Sequence, residues 1–157
     1  MKLYHGSNVM IDYIDFEKCH PFKDFGCGFY LTDTLKHARN MAVRRLMRAG
    51  GSECVSAFEF DYGKATQNLN VKVFDKPSEE WAEFVMMNRN ENIAHPAHDY
   101  DIVIGPIADD SVVVSFRLFQ DGFISISELV KRLEYKELST QYFFHNSAAV
   151  SCLKRIV

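Results

Sequence analysis

Residues 24–32 read Asp24-Phe25-Gly26-Cys27-Gly28-Phe29-Tyr30-Leu31-Thr32, two glycines around one small residue followed by an apolar, aromatic run. Glycine accepts positive φ and lets another chain segment or a ligand approach closely. The apolar run has high β propensity, and the polar side chains of residues 32–34 favour the start of a helix. The stretch therefore predicts a loop, a short strand and a helix. Taken alone, it makes Tyr30 a core residue of an ordinary β–α junction.

The composition indicates a single domain over residues 1–157. Apolar residues make up 47% of the chain and charged residues 25%, as is typical of globular proteins with a sizeable core. A net charge of −3 argues against a broad surface for nucleic acid or anionic membrane, although a local basic patch stays compatible with it. No apolar run approaches the roughly 20 residues of a membrane-spanning helix, so we expect no membrane partner.

The thiol and imidazole side chains predict neither a disulfide framework nor a metal site. The four cysteines are scattered and form no Cys-x-x-Cys pair. His95, His98 and Asp99 lie close in sequence, but their spacing matches no strong zinc pattern. The first residues also lack the apolar segment of a signal peptide. Together with reduced thiols, this predicts a cytoplasmic protein.

Hydrophobic periodicity predicts strands and helices in separate runs, which is typical of an α+β fold. Strands are predicted at 2–5, 29–31, 53–61, 69–74, 101–106 and 141–145, with weaker ones around 10–16 and in 154–157. Helices are predicted at 34–49, 77–89, 109–120, 125–133 and 146–153. The three valines at 112–114 also fit a strand, but Asp109-Asp110-Ser111 is a good helix N-terminus and favours the helix at 109–120. Residues 8–23 and 90–98 are otherwise expected to be irregular.

The predicted helix at 34–49 is notably basic and stops at Gly50-Gly51. Its arginines, at positions 39, 44, 45 and 48, lie mainly on faces other than the apolar stripe. A solvated helix face is the simplest interpretation of such a set. A patch for a substrate or a nucleic acid is the alternative.

Three short motifs, taken together, carry a resemblance to a known family. They are His5-Gly6-Ser7 after the first strand, Gly28-Phe29-Tyr30-Leu31-Thr32, and Gln141-Tyr142-Phe143. Their order resembles the ADP-ribosyltransferases of the diphtheria-toxin and poly(ADP-ribose) polymerase group, which have a His–Tyr–Glu triad on three strands. With residues 100–106, nearly the whole chain also resembles a bacterial family of unknown function in that clan. The resemblance implies an ADP-ribosyltransferase-like split β-sandwich, two small sheets with flanking helices around a cleft for NAD.

The resemblance also assigns residues to this cleft. His5, Tyr30 and Gln141 take the catalytic positions, with His5 at the adenine-side ribose and Tyr30 stacked on the nicotinamide. Met41 stands where the group has a second tyrosine, and its polarizable sulfur can still pack against a ring. The residues implied in binding NAD, the substrate that supplies ADP-ribose, are His5, Gly6 (through its backbone), Ser7, Gly28, Tyr30, Thr32 and Met41.

Gln141 departs from the family pattern, which has glutamate there. Cleavage of the nicotinamide–ribose bond develops positive charge on the ribose, and a carboxylate stabilises that charge. Glutamine keeps a hydrogen bond but has no formal charge, so we expect Gln141→Glu to raise nicotinamide release. The acids that could compensate are Glu134, Glu137, Asp24 and Asp101, and the sequence does not choose among them.

The expected function is mono-ADP-ribosyl transfer from NAD to a macromolecular acceptor, a protein or a nucleic acid. Many members of the resembled group are bacterial toxins or effectors, so the resemblance also implies a neutralising partner protein. One alternative is a catalytically weak module that binds NAD or ADP-ribose for interaction. Another is a protein-binding domain with an empty cleft.

Overall fold

Seven strands and six α-helices are present in the computed structural model, which describes residues 1–108 and 112–156. The strands are β1 (Lys2–Ser7), β2 (Phe29–Thr32), β3 (Cys54–Phe60), β4 (Val71–Val73), β5 (Ile102–Pro106), β6 (Thr140–Phe144) and β7 (Leu153–Arg155). The helices are α1 (Leu35–Ala49), α2 (Tyr62–Asn68), α3 (Glu79–Arg89), α4 (Val113–Gln120), α5 (Ile126–Leu133) and α6 (Ser147–Val150). In these described ranges no helix is both long and apolar enough to cross a bilayer.

All seven strands form one hydrogen-bonded sheet in the order β4-β5-β6-β2-β1-β3-β7. The α+β class is confirmed, whereas the expected division into two small sheets is not observed, because β1 and β2 join the halves. That join is narrow. β1 pairs with β3 over six residues, but its pairing with β2 joins Tyr4 to Thr32. The centre of the sheet, where His5 and Tyr30 lie, is therefore its least extensively paired place.

Two apolar clusters cover the two faces of the sheet. Because successive strand residues face opposite sides, Phe144 belongs to the first cluster with Leu3 and Phe60, whereas Phe143 belongs to the second. Trp81 is fully buried in the second cluster, and its Nε1 donates to the carbonyl of Pro106 at 3.2 Å. Trp81 therefore anchors the core on this face of the sheet.

Most predicted elements are observed, and their caps explain the bounds. Ser78 and Ser125 cap α3 and α5 with their hydroxyls. The predicted strand at 10–16 is wrong, because those residues form no strand and lead into a short 3₁₀ turn at Phe16–Lys18. The helix expected to reach residue 153 ends at Val150, and β7 then pairs antiparallel with β3. The predicted start at Asp109-Asp110-Ser111 and the last residue, Val157, lie outside the described residues.

Helix α1 sits unusually close to β1, and Gly6 is the reason. A Cβ atom at Gly6 would lie 1.8 Å from the carbonyl oxygen of Ala38, far inside van der Waals contact. Ala38 and Ala42, the buried residues of α1, present small side chains to this contact. Gly50, at φ +71°, ends the helix as predicted. This packing fixes one edge of α1 beside the end of β1.

Candidate functional site

A cavity of about 290 Å³ opens beside β1, β2, β6 and α1. His5, Tyr30 and Gln141 all line it, although 136 positions separate the first from the last. The predicted convergence of these three side chains on one cleft is therefore observed. Gly6, Thr32 and Met41 line the same cavity. We call it the first cavity.

A second cavity of about 310 Å³ adjoins the first. His5, Lys23, Tyr30 and Arg45 line both, so these four side chains form the boundary between them. The outer wall of the second cavity comes from residues 9–15 and 18–20, with Gly28 and Phe29 beneath. The two cavities together form one cleft, and the cationic side chains of Lys23 and Arg45 lie at the boundary between them.

His5 is held as a neutral imidazole with a defined tautomer. Its Nδ1 lies 2.8 Å from the carbonyl oxygen of Tyr30, which can only accept a hydrogen bond, so Nδ1 carries the proton. The ring stacks on Phe29 with centroids 4.6 Å apart. Burial, opposed by the hydrogen bond to Tyr30 and assisted by the Arg45 charge, lowers the pKa of His5 to about 4. At neutral pH its Nε2 is consequently a hydrogen-bond acceptor.

Tyr30 is half-buried, and its hydroxyl is hydrogen-bonded to the glycine-rich loop, residues 24–28. Its hydroxyl donates to Gly26 O at 2.7 Å and accepts from Phe25 N at 3.1 Å. One side of the ring packs on Phe143, with centroids 5.1 Å apart. Burial raises the pKa of the phenol well above its usual range, so the hydroxyl remains protonated. The ring is thus a fixed wall between the two cavities.

Gln141 does not stand alone in the cleft, because its amide is bound to a carboxylate. Its Nε2 donates to Asp24 Oδ2 at 2.9 Å and to Pro106 O at 3.2 Å. Asp24 Oδ1 accepts from Arg89 Nε at 2.9 Å and from Arg89 Nη2 at 2.5 Å. Oδ2 also accepts from Ala108 N at 3.3 Å. With both amide hydrogens engaged, Gln141 Oε1 is the acceptor that this side chain offers.

The structure chooses among the four acids that the sequence left open. Asp24 lines the first cavity and touches Gln141. Asp101 accepts hydrogen bonds from Asn70 N and Asn146 Nδ2 instead. Neither Glu134 nor Glu137 borders the cavity within the described part of the chain. The expectation that Gln141→Glu raises nicotinamide release stays a prediction, and the contact adds that the new carboxylate would meet two acceptors, Asp24 Oδ2 and Pro106 O.

The remaining predicted residues divide between packing and cleft positions. Gly28 lines the second cavity. A Cβ atom at this position would lie 2.3 Å from Phe143 Cε2, so the packing of the Phe143 ring requires glycine here. Thr32 is buried and its Oγ1 accepts from Thr34 N at 3.3 Å. Ser7 is buried, accepts from Val9 N at 3.4 Å and borders neither cavity. A binding role for Ser7 thus has no contact with the cleft to support it.

The family resemblance assigned neither of the two cations at the boundary, Lys23 and Arg45, and Arg45 entered the sequence analysis only as one arginine of the alternative substrate or nucleic-acid patch. Arg45 follows Met41 by four residues, so both side chains emerge on the same edge of α1. That spacing was the signal available for Arg45. Lys23 lies in the irregular segment before the glycine-rich loop and had no local pattern to mark it.

The histidines that suggested a metal interpretation have other partners. His95 Nε2 and His98 Nε2 lie 2.7 Å from the carbonyl oxygens of Asn90 and Phe25, respectively. Burial, partly offset by the hydrogen bond to Phe25, lowers the pKa of His98. Across residues 1–108 and 112–156, no three His, Cys, Asp or Glu side chains are grouped to hold a metal ion.

Comparison with known proteins gives a family match over nearly the whole chain. A family model described as "Protein of unknown function (DUF3990)" matches residues 1–155. A search of curated proteins and a search of solved structures found no match to this chain.

Proposed function

The chain belongs to the DUF3990 family, whose description assigns no activity, and we propose that it is a mono-ADP-ribosyltransferase that uses NAD as substrate. The observation that carries the proposal is the meeting of His5, Tyr30, Met41 and Gln141 in one cavity. We also propose an ADP-ribosyltransferase-like fold. The narrow β1–β2 join, which divides the sheet into three-stranded and four-stranded parts, supports it.

The two adjoining cavities suit the two halves of a dinucleotide. In this proposal the nicotinamide enters the first cavity between Tyr30 and Met41, where a ring and a thioether can pack against its faces. The adenosine half occupies the second cavity. Lys23 and Arg45 line the boundary, where the pyrophosphate would lie, and guanidinium groups bind phosphate oxygens in pairs. Neutral His5 accepts a hydrogen bond from a ribose hydroxyl.

The transfer breaks the bond between ribose C1″ and the nicotinamide nitrogen. Nicotinamide leaves as a neutral molecule with the bonding electrons, and an oxygen or nitrogen of the acceptor bonds to C1″ and loses its proton to solvent water. Gln141 Oε1 accepts from the 2″-hydroxyl of the same ribose. Asp24, 2.9 Å behind the amide nitrogen, polarises the amide so that negative charge collects on Oε1. An amide bound to a carboxylate thus supplies part of the stabilisation that a glutamate would give.

A two-part experiment tests the proposal. The protein is incubated with NAD carrying label in the adenylate portion, first alone and then with a bacterial lysate, and both free nicotinamide and the labelled macromolecule are measured. The proposal predicts nicotinamide release and label on protein, RNA or DNA. NAD that stays intact under both conditions would contradict it. A cytoplasmic toxin with a neutralising partner protein is the context that we propose for this activity.

A second candidate, an NAD- or ADP-ribose-binding module without turnover, has one observation in its favour. Asp24, the carboxylate beside Gln141, forms an ion pair with Arg89, which neutralises much of its field at the ribose. Stoichiometric NAD binding without nicotinamide release would support this candidate. Absence of binding would leave a protein-binding role for the cleft.

A further inference from the structure

Helix α1 is the most strongly charged element of the protein, and its charge has one sign. It carries Lys36, Arg39, Arg44, Arg45 and Arg48, and no Asp or Glu occurs between residues 35 and 49. The remaining residues of the chain comprise 13 basic and 21 acidic side chains, a formal net charge of −8. A polyanion would be attracted to α1 and repelled by the rest of the surface, so the charge distribution orients it.

The positive edge of α1 leads into the cleft. Met41, Arg44 and Arg45 line the first cavity. Arg48 follows Arg44 by four residues and Arg45 by three, which places it on the same edge one turn farther from the cavity. Arg48 is exposed. Arginine side chains therefore continue from the boundary between the two cavities outward along the helix, where successive phosphates of a nucleic-acid strand could contact them.

An exposed aromatic ring borders the same opening. Tyr13 is 72% exposed and lines the second cavity with Arg45. Lys18 Nζ lies 5.8 Å from the centroid of its ring. An exposed tyrosine beside cationic side chains is the combination on which unpaired bases stack and backbones are held. An acidic polypeptide would use the cations but would gain little from the ring.

Two acids at this opening do not cancel its charge. Asp12 and Asp15 line the second cavity. Asp15 Oδ2 lies 3.4 Å from Lys18 Nζ, and Asp12 Oδ1 lies 3.3 Å from Arg155 Nη1. Both carboxylates are thereby paired with cations, whereas Lys23 and Arg45 remain at the boundary of the two cavities.

We propose that the acceptor is a single-stranded nucleic acid, bound along the Arg44–Arg48 edge of α1 with a base on the exposed ring of Tyr13 at the outer rim of the second cavity, which leaves Arg45 to the NAD pyrophosphate. This inference rests on the proposed function for the identity of the transferred group. The binding surface itself does not depend on it. DNA and RNA share the sugar-phosphate chemistry recognised here, so both are used as probes.

The test uses fluorescence anisotropy of the full chain with labelled 20-nucleotide single strands of mixed-sequence DNA and RNA. Arg48→Ala is compared with Arg39→Ala. Both variants remove an arginine side chain, but Arg39 lies nine residues earlier, on the opposite side of α1. We expect Arg48→Ala to weaken binding about threefold to tenfold. The slope of log affinity against log salt concentration should fall in magnitude by about one, as for the loss of one phosphate contact. Arg39→Ala should change affinity less than about twofold, and Tyr13→Ala should weaken binding as well.

Several outcomes decide between this proposal and its rivals. Absence of binding to either strand, or equal losses in the Arg48 and Arg39 variants, would overturn it. Equally tight binding of poly-glutamate, with the same dependence on Arg48, would also overturn it in favour of an acidic protein acceptor. Binding to one or both strands with the expected difference would support it. Nicotinamide release without acceptor is measured separately, so failure of the NAD activity and failure of nucleic-acid binding are distinguishable.

Discussion

His5 links the site to the stability of the fold. The unfolded chain protonates this histidine below a pH of about 6.5, whereas burial holds its pKa at about 4 in the folded protein. Between these values the unfolded state binds more protons, so the free energy of unfolding falls as the pH falls. The contribution is fully present above pH 6.5 and amounts to about 3 kcal/mol at most.

Urea unfolding of the wild type and His5→Asn at several pH values between 7 and 4 measures this contribution. Asparagine does not titrate, so the variant should lose stability less steeply over that range even if it is less stable at pH 7. Comparing slopes removes the contribution of other groups, including His98, whose pKa burial also lowers. Parallel curves for the two proteins would show that His5 is not buried in its neutral form.

Gln141 and Asp24 form the second residue-scale prediction. In Gln141→Glu the new carboxylate faces Asp24 Oδ2 and Pro106 O, both acceptors. We expect the free energy of unfolding at pH 7 to fall by about 1–3 kcal/mol, because the contact loses its donor. Part of this loss should be recovered at lower pH, where the two carboxyl groups share a proton. Chemical denaturation at both pH values measures the effect.

The double variant Gln141→Glu/Asp24→Asn is the matched control. It exchanges the carboxylate and the amide, so that a donor faces an acceptor again and the number of charges is unchanged, and the amide oxygen at position 24 still accepts from Arg89 although the ion pair is lost. We expect it to be more stable than Gln141→Glu and to lack that variant's recovery at lower pH. If Gln141→Glu matched the wild type in stability, the Gln141–Asp24 hydrogen bond would not be part of the folded protein.

At the scale of elements, the contact of α1 with β1 leaves no room for a larger side chain at Gly6. Gly6→Ala places a methyl group 1.8 Å from the carbonyl oxygen of Ala38, and backbone must move to admit it. We expect a loss of about 1–3 kcal/mol or more in the free energy of unfolding. The control is Gly63→Ala in α2, where a Cβ atom would have Asp61 Oδ1 at 3.6 Å as its near contact.

Alanine at Gly63 should be neutral or stabilising, by up to about 1 kcal/mol, because it favours the helix over the unfolded chain. Thermal unfolding of both variants gives the comparison. Equal effects would mean that α1 does not lie as close to β1 as described. Such a result would also weaken the site, since α1 carries Met41 and Arg45 into the cleft.

Local patterns predicted the elements that have a marked apolar periodicity or a clear cap. Helices α1, α3 and α5 and strands β3, β5 and β6 are of this kind. Helix α2 was missed because it buries only Ala65 among its own residues and so has no apolar stripe. The false strand at 10–16 rested on apolar residues such as Met10 and Tyr13, which are exposed at the second cavity.

At the scale of the whole molecule, strand order was beyond local patterns. β2 pairs with β6, which follows it by about a hundred residues, and the short pairing of β1 with β2 then makes one sheet of the expected two. The convergence of His5, Tyr30 and Gln141 was predicted because the resemblance supplied an order of strands. The bond from Gln141 to Asp24 spans 117 positions and left no mark in the sequence near either residue.

The central claim is that the two adjoining cavities bind NAD, with Tyr30 against the nicotinamide. Isothermal titration calorimetry with NAD tests it most directly, using the wild type, Tyr30→Ala and Cys27→Ala. Cys27 lies three residues before Tyr30, in the loop that precedes β2, but borders neither cavity. We predict one NAD per chain, affinity weakened about tenfold by Tyr30→Ala, and less than about a twofold change for Cys27→Ala. A wild type that gives no binding heat at millimolar NAD, or equal affinities for the two variants, would contradict the claim.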